Sequence, residues 1–162
     1  MAATPAVPIV PGLPALPSDP RAACETVFSA LAGTPSDVML EGINNWIPLF
    51  MQNAAVAPRV LLEVMDKSQN DAVRHMAAIN FRRNVMALYW KTFNDAQKSM
   101  CKGILLRRLQ TEQSRRVRVM VVASAVAVCK DELSSGRWPE LLRLVQQAAE
   151  HSSVDVKEVR CR

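Results

Sequence analysis

Aromatic rings are scarce in this 162-residue chain, which holds four Phe, three Trp and one Tyr, and glycine is held to five positions. No stretch alternates apolar and polar residues for long. Sheets are built from alternating β-branched and aromatic residues, so these shortages argue against strands and for helices packed through aliphatic side chains. The expected class is all-α. With 49% of residues apolar, the length suffices for one domain with a sizeable core.

Reactive side chains are also few. Cys24, Cys101, Cys129 and Cys161 stand far apart without a CxxC pair, and only His75 and His151 could join them. Neither a disulfide frame nor a zinc site is indicated, and the thiols read as reduced and mostly buried. There is no Gly-rich phosphate loop, no GxSxG and no HExxH, and neither His stands by spacing beside Cys24, Cys101 or a carboxylate. No enzyme activity, cofactor or metal is expected. His151 reads as a solvated residue in a link, and Glu112 and Glu140 as helix-terminal acids.

The first twenty residues carry no cation, which excludes an Arg-rich transit peptide and the charged start of a secretory signal. The longest apolar run, Val119 to Cys129, is too short to span a bilayer. A soluble intracellular protein with no membrane partner is the expectation.

Proline, by contrast, is plentiful at the start: Pro5, Pro8, Pro11, Pro14, Pro17 and Pro20 recur every third residue, the period of a polyproline II helix. Residues 1–20 read as a disordered or semi-rigid tail. The alternative, an SH3-type ligand, would want a flanking cation, and only Arg21 is available.

From Pro20 the pattern turns helical. Ala23, Val27, Ala30 and Leu31 share a face that ends at Gly33; a second helix from Ser36 or Asp37 carries Leu40, Ile43, Trp46, Ile47 and Phe50. Pro48 should kink or end it, and Gly42 weakens it by about 1 kcal/mol relative to Ala. Pro58 opens a short third helix through Lys67 with Val60, Leu61, Val64 and Met65. Asn94 or Asp95 caps a fifth, with Met100, Cys101, Ile104, Leu105 and Leu109 inward and Lys98, Lys102, Arg107 and Arg108 outward. The stretch Ser114–Leu133 is apolar almost all round from Val119, the pattern of a helix enclosed by neighbours, and should be the most buried element. Trp138-Pro139-Glu140-Leu141-Leu142 opens a seventh helix, and after His151-Ser152-Ser153 an eighth begins and runs two turns.

The organising stretch is the fourth helix, Asp71 to Trp90. Val73, Ala77, Phe81, Val85 and Leu88 make a buried stripe at helical spacing. The opposite side carries His75, Ile79, Arg82, Arg83 and Met86, apolar groups set among cations, which suggests a second, protein-facing surface. The plainer alternative is that Ile79 and Met86 pack on a neighbouring helix.

Charge is concentrated in the same region. Residues 1–73 carry three cations and seven anions, 74–118 eleven and two, and 119–162 six and six. The central block could draw an acidic protein or nucleic acid, or be a solvated rim on helical repeats. Helix pairs at 21–52, 57–90, 95–133 and 138–162 recur at intervals of about 40 residues, as in a HEAT-type solenoid of about three and a half antiparallel pairs whose last pair is incomplete.

At Val73-Arg74, Ala77-Ala78, Arg82-Arg83-Asn84 and Trp90, then Leu105, Leu109, Glu112, Val117-Arg118 and the Trp138–Leu142 run, the chain resembles the amino-terminal region of importin-β family nuclear transport receptors. The match covers roughly 22–162 and looks most like the subgroup that imports ribosomal proteins and histones. The resemblance implies a HEAT-repeat superhelix that binds Ran in its GTP form through the second helix of each pair, in a protein found in cytoplasm and nucleus. His75, Ile79, Arg82, Arg83 and Met86 would then contact Ran, with Arg118 and Arg115 as further contacts near the start of the Ser114–Leu133 helix. Asn84 falls on the core side and reads as structural, its amide bonded to a link between helices. Pro48 and Gly42, the proline-rich tail and the missing later repeats depart from the family pattern. Carriage of basic cargo would need those repeats. A basic helical-repeat protein that binds nucleic acid is the alternative function.

Overall fold

Four helices of this protein begin where a side chain accepts from one of their first amides. In the computed structural model, which describes residues 11–13, 15–132 and 136–160 (side chains to 149), Asp19 accepts from the Ala22 amide at 2.9 Å to open α1 (Pro20–Ala32). Ser36 accepts from Met39 to open α2 (Asp37–Met51), and Pro sits in the first turn of α3 (Ala57–Lys67). Asn70 caps α4 (Asp71–Asn80, continued by a π-turn at Phe81–Val85 and by Met86–Leu88, all counted with α4 below), and Asn94 closes a reciprocal box with Gln97 at the head of α5 (Asp95–Thr111). Then follow α6 (Arg115–Glu132) and α7 (Pro139–Arg160). Among the described residues there is no strand, as the lack of aromatic alternation implied.

Two compact units divide the chain, residues 1–125 and 126–162. In the first, α3 is the central element: Val60, Leu61, Leu62, Val64 and Met65 are all buried, and α1, α2, α4 and α5 pack against it. The other closest packing is of α1 on α4, so α1, α3 and α4 form the core with Val27, Phe28, Val73, Ala77 and Phe81. In the second unit Val128, Trp138 and Leu141 are buried.

Several expectations need correction. The Ser114–Leu133 helix is not the most buried element: in α6 Val117 and Val121 are buried, but Val119 and Val122 are 57% and 45% exposed, because an apolar surface is enclosed only where neighbours exist to cover it. Pro48 lies within α2 and does not end it; the helix runs three residues further, to Met51. Gly42 is buried there. Met100 faces outward at 44% exposure, while Cys101 and Leu105 take the inward face. Arg108 faces inward, where it meets an acid. At the chain's end α7 continues through His151-Ser152-Ser153 without a break, so seven helices replace the expected eight among the described residues.

Of the tail, residues 1–10 and 14 lie outside the described residues, and with them Pro5, Pro8 and Pro14 of the polyproline period. Gly12 adopts φ +80° with its Cα against α2; a Cβ there would come within 3.3 Å of Met39 Cβ. No helix among the described residues is long and apolar enough to cross a membrane.

Candidate protein-docking site

The stripe expected on α4 is present for four of its five members: Val73, Ala77, Phe81 and Val85 are buried. Leu88 is 59% exposed, because the helix ends there; the chain turns through Trp90–Thr92, and Trp90 is buried in its place. Lys98 holds its ammonium 5.6 Å from the Trp90 ring centroid.

Between Phe81 and Val85 the helix widens into a π-turn, with the Met86 amide donating to the Phe81 carbonyl. Two asparagines line this widening. Asn80 Nδ2 donates to the Met76 carbonyl at 2.9 Å, and Asn84 Nδ2 donates to Asn80 Oδ1 at 3.0 Å. Asn84 thus bonds within its own helix, and not to a link between helices as expected. Single π-turns inside α-helices recur at functional positions, since they cost a regular hydrogen bond and persist where something is gained.

Arg82 and Arg83 both lie in this turn and both are exposed. Neither has a hydrogen-bond or ion-pair partner among the described residues. Their neighbours in the basic block are mostly engaged. Arg74 pairs with Glu112 at 2.8 Å, Arg107 with Asp66 at 2.6 Å, Arg116 with Asp71 at 2.9 Å, and Arg108 with Glu112. The other expected members of the strip, His75, Ile79 and Met86, are half-buried. Burial first, then the nearby Arg116 cation, lowers the His75 pKa against a smaller opposing pull from Asp71. Asp71, one turn earlier in the helix, is thus a carboxylate near His75, contrary to the expectation that neither histidine stands beside one.

Arg118 is exposed as a residue, but its guanidinium donates through Nε and Nη2 to the Glu112 carbonyl, at 3.0 and 2.7 Å. It satisfies the end of α5, a structural task the sequence left unseen. Arg115 is exposed and unpaired among the described residues.

What spacing did not reveal is the polar network joining the α3–α4 link to the α5–α6 link. Glu112, which caps α5, has both carboxylate oxygens bonded by Arg74 and one also by the Ser114 amide at 2.9 Å, while Arg74 Nη1 donates to the Ser68 and Gln69 carbonyls. Burial opposes ionisation of Glu112, but the hydrogen bonds from Arg74, Ser114 and Arg108 outweigh it and hold the carboxyl at about 2. Asp71, at the head of α4, accepts from the Ser114 hydroxyl at 2.9 Å and pairs with Arg116, which keeps it below its ordinary range. Partners 38 to 45 residues apart leave no signal in a helical period. The Arg108–Glu112 pair stands at i and i+4, but the wheel placed Arg108 outward and so did not bring the two together.

Burial pushes the Cys101 thiol up to about 12 and the Cys24 thiol higher still, so neither is a thiolate nucleophile. Among the described residues no cluster of His, Cys, Asp or Glu could hold a metal ion. The arrangement on α4 is instead suited to protein contact: two uncommitted cations beside half-buried apolar groups. No protein-family model, no curated protein and no solved structure matches the chain.

Proposed function

We propose that this chain is a Ran-GTP-binding, amino-terminal HEAT-repeat segment of an importin-like receptor, acting in nucleocytoplasmic protein transport. The observation that carries the reading is the pair Arg82 and Arg83, exposed and uncommitted on a π-turn of α4, the second helix of the second pair. Cations left unpaired while their neighbours are neutralised are available to a partner.

The helix order supports a repeating stack. Three links of three or four residues join α1 to α2, α3 to α4 and α5 to α6. Like meets like between pairs two and three: the first helices α3 and α5 pack and are bridged by Arg107–Asp66, and the starts of the second helices α4 and α6 are joined by Asp71 with Ser114 and Arg116. Pair one is less regular, since α1 packs more on α3 and α4 than on α2.

Nucleic acid is the weaker reading, because ion pairing within the protein consumes Arg74, Arg107, Arg108 and Arg116. Cargo binding, which would draw on basic proteins such as ribosomal proteins or histones, depends on repeats beyond these.

The test is retention of Ran on the immobilised chain. Ran loaded with GTP is expected to bind and Ran loaded with GDP to wash through. Arg83→Glu should lower the GTP-form affinity at least about tenfold. Equal retention of the two forms, or of neither by a folded sample, removes the proposal.

A further inference from the structure

Successive residues in a π-turn diverge less around the axis than in an α-turn, because each turn holds an extra residue. Arg82 and Arg83 occupy such a turn side by side. On the same side in the adjoining turns lie exposed Ala87, four residues after Arg83, and half-buried Ile79 and Met86. Two guanidinium groups next to exposed aliphatic surface match a ligand that carries both carboxylates and apolar side chains.

The same surroundings disfavour a polyanion read through its bases. Phe81 and Trp90 are buried, and the Tyr89 hydroxyl donates to the Met51 carbonyl, so the nearby rings are committed to the protein's own packing. Binding of single strands draws much of its strength from bases stacked on accessible rings.

We propose that the Phe81–Val85 turn is a clamp for an acidic, partly apolar peptide segment of a partner protein, Arg82 and Arg83 each engaging a carboxylate while Ala87, Ile79 and Met86 take its apolar residues. This rests on the reading of the α4 strip as a docking surface, and it adds the chemistry of what docks. Guanidinium groups bond carboxylates with two parallel donors, so a pair of them recognises spaced acids better than diffuse charge.

The experiment is fluorescence anisotropy on the full chain with three labelled probes at 0.15 M salt: a peptide of glutamates interspersed with leucines, the same peptide with glutamine for glutamate, and an oligothymidylate. The glutamate peptide is expected to bind at least about tenfold tighter than the glutamine peptide or the oligonucleotide. The double variant Arg82→Gln, Arg83→Gln should lose at least about tenfold, whereas Lys130→Gln, an exposed cation outside the turn and outside every expected contact, should change nothing. An unchanged double variant, an equal loss from Lys130→Gln, or an oligonucleotide bound as tightly as the peptide overturns the clamp. Ran retention on the same preparations separates the two proposals. Ran-GTP bound without the peptide sinks the clamp alone, and peptide bound without Ran sinks the GTPase reading and leaves the clamp standing.

Discussion

Arg74 and Glu112 meet as a bidentate pair, Nε to Oε2 at 3.0 Å and Nη2 to Oε1 at 2.8 Å, with the carboxylate side chain only 1% exposed. The pair ties the link that precedes α4 to the link that follows α5. Removing one partner of a buried ion pair leaves the other charge desolvated and unmatched, which costs far more than the pair itself contributes.

Glu112→Gln is therefore expected to destabilise the protein by about 3 kcal/mol, since Arg74 and Arg108 both lose their acid. Urea titrations of the two proteins at pH 7, compared by midpoint at constant slope, measure it. A shift worth less than about 1 kcal/mol would mean that the network is solvated and optional.

The same residue sets an acid limit. Its folded pKa, about 2, lies below the ordinary 4.5, so the unfolded chain binds the proton first. The contribution is complete above pH 4.5 and is lost progressively as pH falls toward 2. The stability gap between the wild type and Glu112→Gln should shrink across that window and stay constant from pH 6 to 8. A gap independent of pH down to 3 would contradict the ion pairing.

His75 should titrate below its ordinary 6.5 in an NMR pH series, because burial and then Arg116 disfavour its cation. Arg116→Gln should raise the midpoint by removing the second cause. A midpoint that does not move would show that Arg116 exerts no field at the ring.

Leu61→Ala, at the centre of α3, should cost about 2–5 kcal/mol through lost burial and an unfilled cavity. Val119→Ala, on the open face of α6, should stay within about 0.5 kcal/mol. Chemical denaturation of both variants distinguishes α3 from α6 as the buried centre, and a large loss at Val119 would reverse that assignment.

The caps at Ser36 and Asn94, the proline that opens α3, and the stripe from Val73 to Val85 could all be read along the chain, because each depends on neighbours within one turn or on a single helical period. The same reading placed Arg108 outward and the Val119–Cys129 run deepest, and both placements failed. A wheel sorts residues by chemistry, whereas burial depends on which helices lie alongside. His75, Ile79, Arg82, Arg83 and Met86 were legible as one strip, but their difference in exposure was not.

Composition and period by themselves determined that this protein is helical, where most of its helices start, and which side of α4 carries its cations, since these are local properties of the backbone and its nearest side chains. Only the tertiary structure decided that Glu112 gathers Arg74 and Arg108, that Arg118 is spent on a carbonyl, and that Arg82 and Arg83 remain uncommitted. Ion pairs form between residues that folding brings together from tens of positions apart, so which charges are neutralised and which are left over is settled by packing.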